Sequence, residues 1–217
     1  MQLFGKSSNA VARVSLVGGI CGIFGLAWGA YAAYWAPWIT RVGVEIPQRV
    51  PFSHKHHVGD DGIDCRYCHT SVEKSGFAGM PSTEICMSCH SQLWTQAPML
   101  EPVRESLATG QPLHWNRVHD LPDFVFFDHG IHVAKGIGCS TCHGRVDEMP
   151  LVAKRAPLYM KWCLDCHSDP AKFIRPRAKI FDMSWHPPLD QATEGARLVK
   201  QNHIETLTLQ DCSNCHR

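Results

Sequence analysis

Five copies of one short pattern constrain this chain more than anything else in it: two cysteines separated by two residues, with a histidine directly after the second. They are Cys65/Cys68/His69, Cys86/Cys89/His90, Cys139/Cys142/His143, Cys163/Cys166/His167 and Cys212/Cys215/His216. Cysteines three apart on a helical turn can form thioethers with the two vinyl groups of one porphyrin. The residue after them then aims its imidazole at the iron from one side. A single copy could equally belong to a zinc site or a thiol–disulfide motif. Five in one chain point to five covalently attached c-type haems. The cysteine count agrees, because ten of the eleven cysteines fall into these pairs, whereas a disulfide framework prefers an even total and varied spacings. The remaining thiol, Cys21, lies in an apolar stretch, where it reads as a small hydrophobe.

A low-spin haem iron needs a sixth ligand. Of the fourteen histidines, five follow the cysteine pairs, leaving His54, His56, His57, His114, His119, His129, His132, His186 and His203. Four of these nine belong to an internal repeat. Phe52–Val58 and Phe127–Val133 both read F-x-H-x-x-H-V, and a C-x-x-C-H motif follows each. Histidines three apart on a helix differ in direction by about 60°, so one segment can serve two neighbouring irons. The spacing assigns His54 to the iron of His69 and His129 to that of His143, with His57 and His132 reaching other haems. His119, in the run before Leu121 and Pro122, is the choice for the fifth position. Methionine is the rival ligand type. Met160 stands out, but it lies three residues before Cys163 and so close to the proximal side of its own haem.

From Ser15 to about Trp38 the chain carries no charge. About 20 apolar residues cross the hydrocarbon core as a helix, and Tyr31, Tyr34, Trp35 and Trp38 suit the headgroup layer at its end. Ala30-Tyr31-Ala32 resembles a signal-peptidase site, but the apolar run exceeds an ordinary signal core, so a retained anchor is expected. Lys6 and Arg13 before the helix and Arg41 and Arg49 after it give little orientation signal. The outside attachment of haem c places the bulk of the chain on the periplasmic face of a bacterial inner membrane. The expected organisation is an anchor over 1–40 (helix about 15–38), a two-haem module over 41–100, a connector over 101–124, a second two-haem module over 125–170, and an extension over 171–217 with the fifth haem. No stretch alternates as a strand would, and short helices are expected at Glu101–Ala108, ended by Gly110, and at Gln191–Ile204. A formal charge of +1 gives no electrostatic footprint for nucleic acid.

The F-x-H-x-x-H segment ahead of C-x-x-C-H resembles the class III multihaem cytochromes c. It implies a class III-like multihaem cytochrome c fold: mostly short α-helices and irregular coil around five haems, with one N-terminal transmembrane helix. Longer strings, FSHKHH, GMPSTEICMSCH, WNRVHDLPDFVFFDHGIH, CSTCHG, MKWCLDCH and DCSNCHR, are similar over nearly the whole chain to the pentahaem cytochrome c subunit of bacterial alternative complex III. That resemblance implies an electron relay, without catalysis of its own, in a membrane-bound quinol-oxidising complex. The implied partners are an iron–sulfur subunit, quinol-binding integral membrane subunits, a monohaem cytochrome c and the lipid bilayer. A similar subunit serves quinone-reducing complexes but generally carries one more haem. An autonomous quinol dehydrogenase would hold a haem motif close to its helix, and here Cys65 comes about 27 residues after Trp38. A catalytic multihaem reductase would leave one iron open, often with lysine in place of the proximal histidine, and all five motifs end in histidine.

Overall fold

The computed structural model describes Gly5 and residues 7–216. The chain divides into two units, one up to Arg41 and one from Val42 onward.

The first unit is a single long helix and one following turn. Helix α1 runs Ser8–Trp35, 28 residues, none of them buried. Its most apolar stretch has a mean hydropathy of 1.8. At 1.5 Å per residue it is about 42 Å long, against roughly 30 Å of hydrocarbon in a bilayer, so it is long and apolar enough to cross a membrane. The helix begins before Ser15 because Ser8, Asn9 and Arg13, though polar, are not helix-breaking, and Ala10 and Ala12 between them favour a helix. It stops before Trp38 because Pro37 drives the preceding residue out of the helical region. Ala36 is extended, with ψ 144°. Pro37 then opens the short helix α2, Pro37–Thr40, and Arg41 closes it in the left-handed region at φ 56°. Trp28, Tyr31, Tyr34 and Trp35 form a ladder of ring contacts along the last turns of α1.

The second unit is assembled from short pieces. A π-helical turn at Lys55–Asp60 is followed by α3 (Cys65–Cys68), α4 (Thr83–His90), α5 (Glu101–Thr109), α6 (His129–Ala134), α7 (Cys139–His143), α8 (Met160–Ser168), α9 (Gln191–Gln201) and α10 (Cys212–Cys215). Among the described residues there is no β-strand, only isolated bridges such as Val42 with Lys154 and Val125 with His216. Helix α5 ends where Gly110 takes φ 68°, a conformation that suits a residue without Cβ. Helix α9 ends three residues before Ile204. Its last turn is tied down instead: the Lys135 ammonium donates to the Asn202 carbonyl at 2.8 Å, and Asn202 Nδ2 donates back to the Lys135 carbonyl at 3.2 Å.

The aliphatic core is small. Val72, Val133 and Ile180 form its buried cluster, with Ala78 and Phe181 packed on it. Only Ile174 and Val103 are completely enclosed among the large side chains. Helix α9 lies so close to the 3-10 turn Pro170–Lys172 that a Cβ on Gly195 would collide with the Ala171 carbonyl. Arg175 is 3% exposed. It donates to the Ser140 and Thr141 hydroxyls at 3.1 and 3.0 Å and to the Asp182 carbonyl at 3.2 Å, with its guanidinium 4.3 Å from the Trp185 ring centre.

Candidate functional site

Each cysteine pair lies on a helical turn, opening α3, α7 and α10 and falling inside α4 and α8, and that turn fixes the direction of the histidine. The His69 amide donates to the Cys65 carbonyl and the His216 amide to the Cys212 carbonyl, both at 2.9 Å. Both thiols of a pair therefore project from one turn, with the imidazole beside them. Asp64 caps the first of these turns, its carboxylate accepting the Arg66 amide.

The two F-x-H-x-x-H segments reach similar geometry through different backbones. The first winds as a π-helical turn and the second as the α-helix α6. In both, the phenylalanine stacks on the second histidine: Phe52 on His57 at 4.4 Å and Phe127 on His132 at 4.5 Å, with rings within 24° of parallel. It also meets the first histidine edge-on. The phenylalanine thus sets both imidazole planes, a role that its place in the repeat signalled and that pattern alone could not specify.

The segments bring these histidines opposite those of the cysteine motifs. His54 faces His69 at 6.5 Å between ring centres, His57 faces His90 at 6.1 Å, His129 faces His143 at 6.3 Å and His132 faces His167 at 6.1 Å. A metal–imidazole bond of about 2.0 Å plus a ring radius of about 1.1 Å puts two trans imidazole centres about 6.2 Å apart. All four pairs match the separation of two rings sharing one metal ion, and none is close enough for direct contact.

The hydrogen bonds match as well. Carbonyl oxygens accept from Nδ1 of His57 (Ser53, 2.9 Å), His69 (Gly79, 2.7 Å), His90 (Leu93, 3.2 Å), His129 (Gly76, 2.9 Å), His132 (Asp128, 2.6 Å), His167 (Leu209, 2.9 Å) and His216 (Phe124, 3.3 Å). A ring that donates from Nδ1 keeps its lone pair on Nε2, and such outer partners are what orient imidazole ligands of metals. Three of these carbonyls lie within four residues of their histidine, but those of Gly76, Leu209 and Phe124 lie 42 to 92 residues away, where no local signal could have revealed them. Burial pushes His54 and His119 down to about 4 and His143 to about 3, with neighbouring histidines and, for His119, Lys154 adding to it. Burial also lowers His132. Neutral imidazole is the form that binds a metal.

His119 and His216 stand apart from this scheme. The His119 ring packs across His143 at 4.3 Å and 71°, too close for a shared metal. Its buried Nε2 has no hydrogen-bond partner. The ring beside His216 is Phe124, at 5.9 Å, and among the described residues no histidine ring pairs with it.

Thiols of different motifs also approach one another. Cys65 and Cys139 share a hydrogen bond, which lowers the former and raises the latter. Burial raises Cys68, with Cys86, Cys65 and Cys89 contributing. Burial with Cys166 and Cys163 nearby pushes Cys142 up to about 12. Cys163 is raised by burial and then by Cys215.

The family model for cytochrome c7 and related cytochrome c matches residues 50–100 and 125–217, most of the chain. The chain belongs to that family. It is accordingly a multihaem cytochrome c, a family that binds haem covalently. The unmatched residues between 100 and 125 contain α5 and His119. The multiheme cytochrome c subunit of a menaquinone reductase from Nitratidesulfovibrio vulgaris is 40% identical over 97 residues, which are 44% of this chain and 45% of that subunit. The match thus spans less than half of that relative.

Proposed function

We propose that the chain is the electron-relay subunit of a membrane-bound, quinol-oxidising respiratory complex of the alternative complex III kind. On this reading it holds five covalent haems, is anchored by α1 and faces the periplasm. It passes electrons from partner subunits to a periplasmic cytochrome c or a terminal oxidase. The observation that carries the reading is the set of four imidazole pairs at metal-sharing distance. An iron held between two histidines would have no site left for substrate and would serve electron exchange. Bound haem would supply that one-electron chemistry. The cysteines would tether it and the paired histidines would ligate it, while backbone carbonyls that accept from Nδ1 hold seven of the imidazoles in one tautomer and direction.

Quinol oxidation releases protons together with electrons, so its site needs acid–base groups near the membrane interface. From Ser15 to Trp35, apart from Trp and Tyr side chains, α1 offers only Ser15 and Cys21, and neither is a base at neutral pH. The proton-handling site is therefore assigned to neighbouring membrane subunits, where intramembrane ionisable groups mark such pathways. A second reading, a subunit of a quinone-reducing complex, is favoured by the similarity to the menaquinone reductase subunit. Five motifs in place of six favour the quinol-oxidising direction.

Gentle purification from membranes should retain an iron–sulfur subunit, integral membrane subunits and a monohaem cytochrome. The isolated chain should be reduced by dithionite yet oxidise no quinol, whereas the complex does so. Rapid quinol oxidation by the chain alone would replace this reading with that of an autonomous dehydrogenase. Net quinone reduction by the complex would favour the second reading.

A further inference from the structure

The order of the sites in space differs from their order in sequence. With the motifs numbered first to fifth along the chain, His54 and His57 sit on one turn and face the first and second motifs, through His69 and His90. The Tyr67 and Ser88 hydroxyls, one in each of those motifs, are 2.8 Å apart, and Cys68 lies near Cys86 and Cys89. His129 and His132 couple the third and fourth motifs in the same way, with Cys142 near Cys166 and Cys163. The fifth motif adjoins the fourth: the His167 ring donates to Leu209, three residues before Cys212, at 2.9 Å, and Cys163 is near Cys215.

What joins the two pairs is the first motif with the third. The His129 ring and amide both donate to the Gly76 carbonyl, at 2.9 and 3.3 Å, and the Gly130 amide donates to the Ser75 carbonyl at 3.0 Å. Ser75 and Gly76 belong to the loop that leaves the first motif. Cys65 and Cys139 lie close enough to influence each other, as do His143 and the His54/His69 pair. Among the described residues no such contact links the second motif to the third.

We propose that the five haem sites form one unbranched row in the order second, first, third, fourth, fifth, with the sites of His90 and His216 as its two ends. The only motif thiols fully exposed are Cys89 and Cys212, one at each end. Partners therefore meet the row at those ends. An electron arriving from a one-electron donor, such as an iron–sulfur cluster fed by quinol, reduces one terminal iron. An electron leaving the other terminal iron for a haem protein restores the starting state, so nothing accumulates in between. The electron-transfer part rests on the proposed relay role, while the spatial order does not.

The test uses the imidazole planes as labels. Parallel ligand planes split the iron d orbitals and give rhombic spectra, whereas crossed planes leave them nearly degenerate and give a large-g signal. The first and third sites have planes within 4° and 9°, and the second has planes at 68°. In the full chain, Cys86→Ser/Cys89→Ser removes the second haem and with it a large-g signal. In a redox titration followed by electron paramagnetic resonance, the near-parallel rhombic signal that His54→Ala abolishes should shift its midpoint, and the one that His129→Ala abolishes should keep it. If both shift alike, the second site lies between the first and third, and the proposed row is wrong. If neither shifts, the second site adjoins neither of them, with the same consequence. Should that variant fail to mature, His57→Ala keeps the porphyrin and makes the second iron high-spin. The relaxation of one rhombic signal alone should then quicken. Loss of donor-to-acceptor activity in the wild-type complex would instead overturn the relay role and leave the row standing.

Discussion

A histidine in this chain is defined by which of its nitrogens is occupied. Where Nδ1 donates to a carbonyl, Nε2 is free for a metal; six of the eight rings in the four facing pairs are held this way, whereas the buried Nδ1 of His54 has no partner. His54→Ala or His129→Ala should convert one haem each to high spin while all haems stay covalently bound. The check is the high-spin absorbance band and carbon monoxide binding of the reduced protein, against negligible binding in the wild type. His119, with its orphaned Nε2, remains the candidate for the fifth iron. His119→Ala should then create a carbon monoxide site, and an unchanged spectrum would assign His119 to packing. Arg175 acts at the same scale without touching a metal. It fastens the two residues between Cys139 and Cys142 to the Asp182 backbone, and no room exists for a Cβ on Gly138 beneath it. Arg175→Met keeps the apolar contacts and strands several polar groups, so it should cost about 3 kcal/mol, read from denaturant unfolding of the holoprotein.

At the scale of elements, local patterns were legible and distant supports were not. The helix from Glu101 was readable because Gly110 ends it, and the cysteine turns because their spacing is a covalent requirement. The pairing of His54 with His69 and of His129 with His143 could be read from the repeat, since each segment precedes its motif by a few residues. Three features escaped. The π-helical winding at Lys55–Asp60 gives the same ring placement as an α-helix, so the spacing cannot distinguish them. The early start of α1 lies among polar residues that a hydropathy criterion discards. The end of α9 is set by Lys135, 67 residues away, and not by a stop signal of its own. The packing of α9 yields a further expectation. Gly195→Ala improves intrinsic helix propensity by roughly 1 kcal/mol, yet the Ala171 carbonyl blocks the added carbon. The net effect should be a loss of about 1–3 kcal/mol, measurable as a lower unfolding midpoint with unchanged haem content. A gain in stability would show that α9 can shift away from the turn at no cost.

For the whole molecule, the division at Arg41 separates two kinds of stability. Helix α1 has no buried residue and is long and apolar enough to cross a membrane, and the proposed anchor makes a direct prediction. The full-length protein should resist a salt wash of membranes and require detergent. A chain starting at Val42, exported behind a cleavable signal, should be soluble and carry the full haem complement. Recovery of an intact full-length chain in the soluble periplasmic fraction would contradict the anchor. The part from Val42 onward has few enclosed aliphatic side chains, so its folding depends on covalent attachment to a degree ordinary domains do not. One junction also bears on how such a chain could be lengthened. The second F-x-H-x-x-H copy meets the loop that leaves the first cysteine motif, where His129 donates to the carbonyl of Gly76, so the inner faces of the two halves are spent on each other. On the proposed row, a chain with one site more or fewer would gain or lose it at an outer tip, where no neighbouring site has to be rebuilt, and the segment bearing Cys212, Cys215 and His216 occupies one such tip.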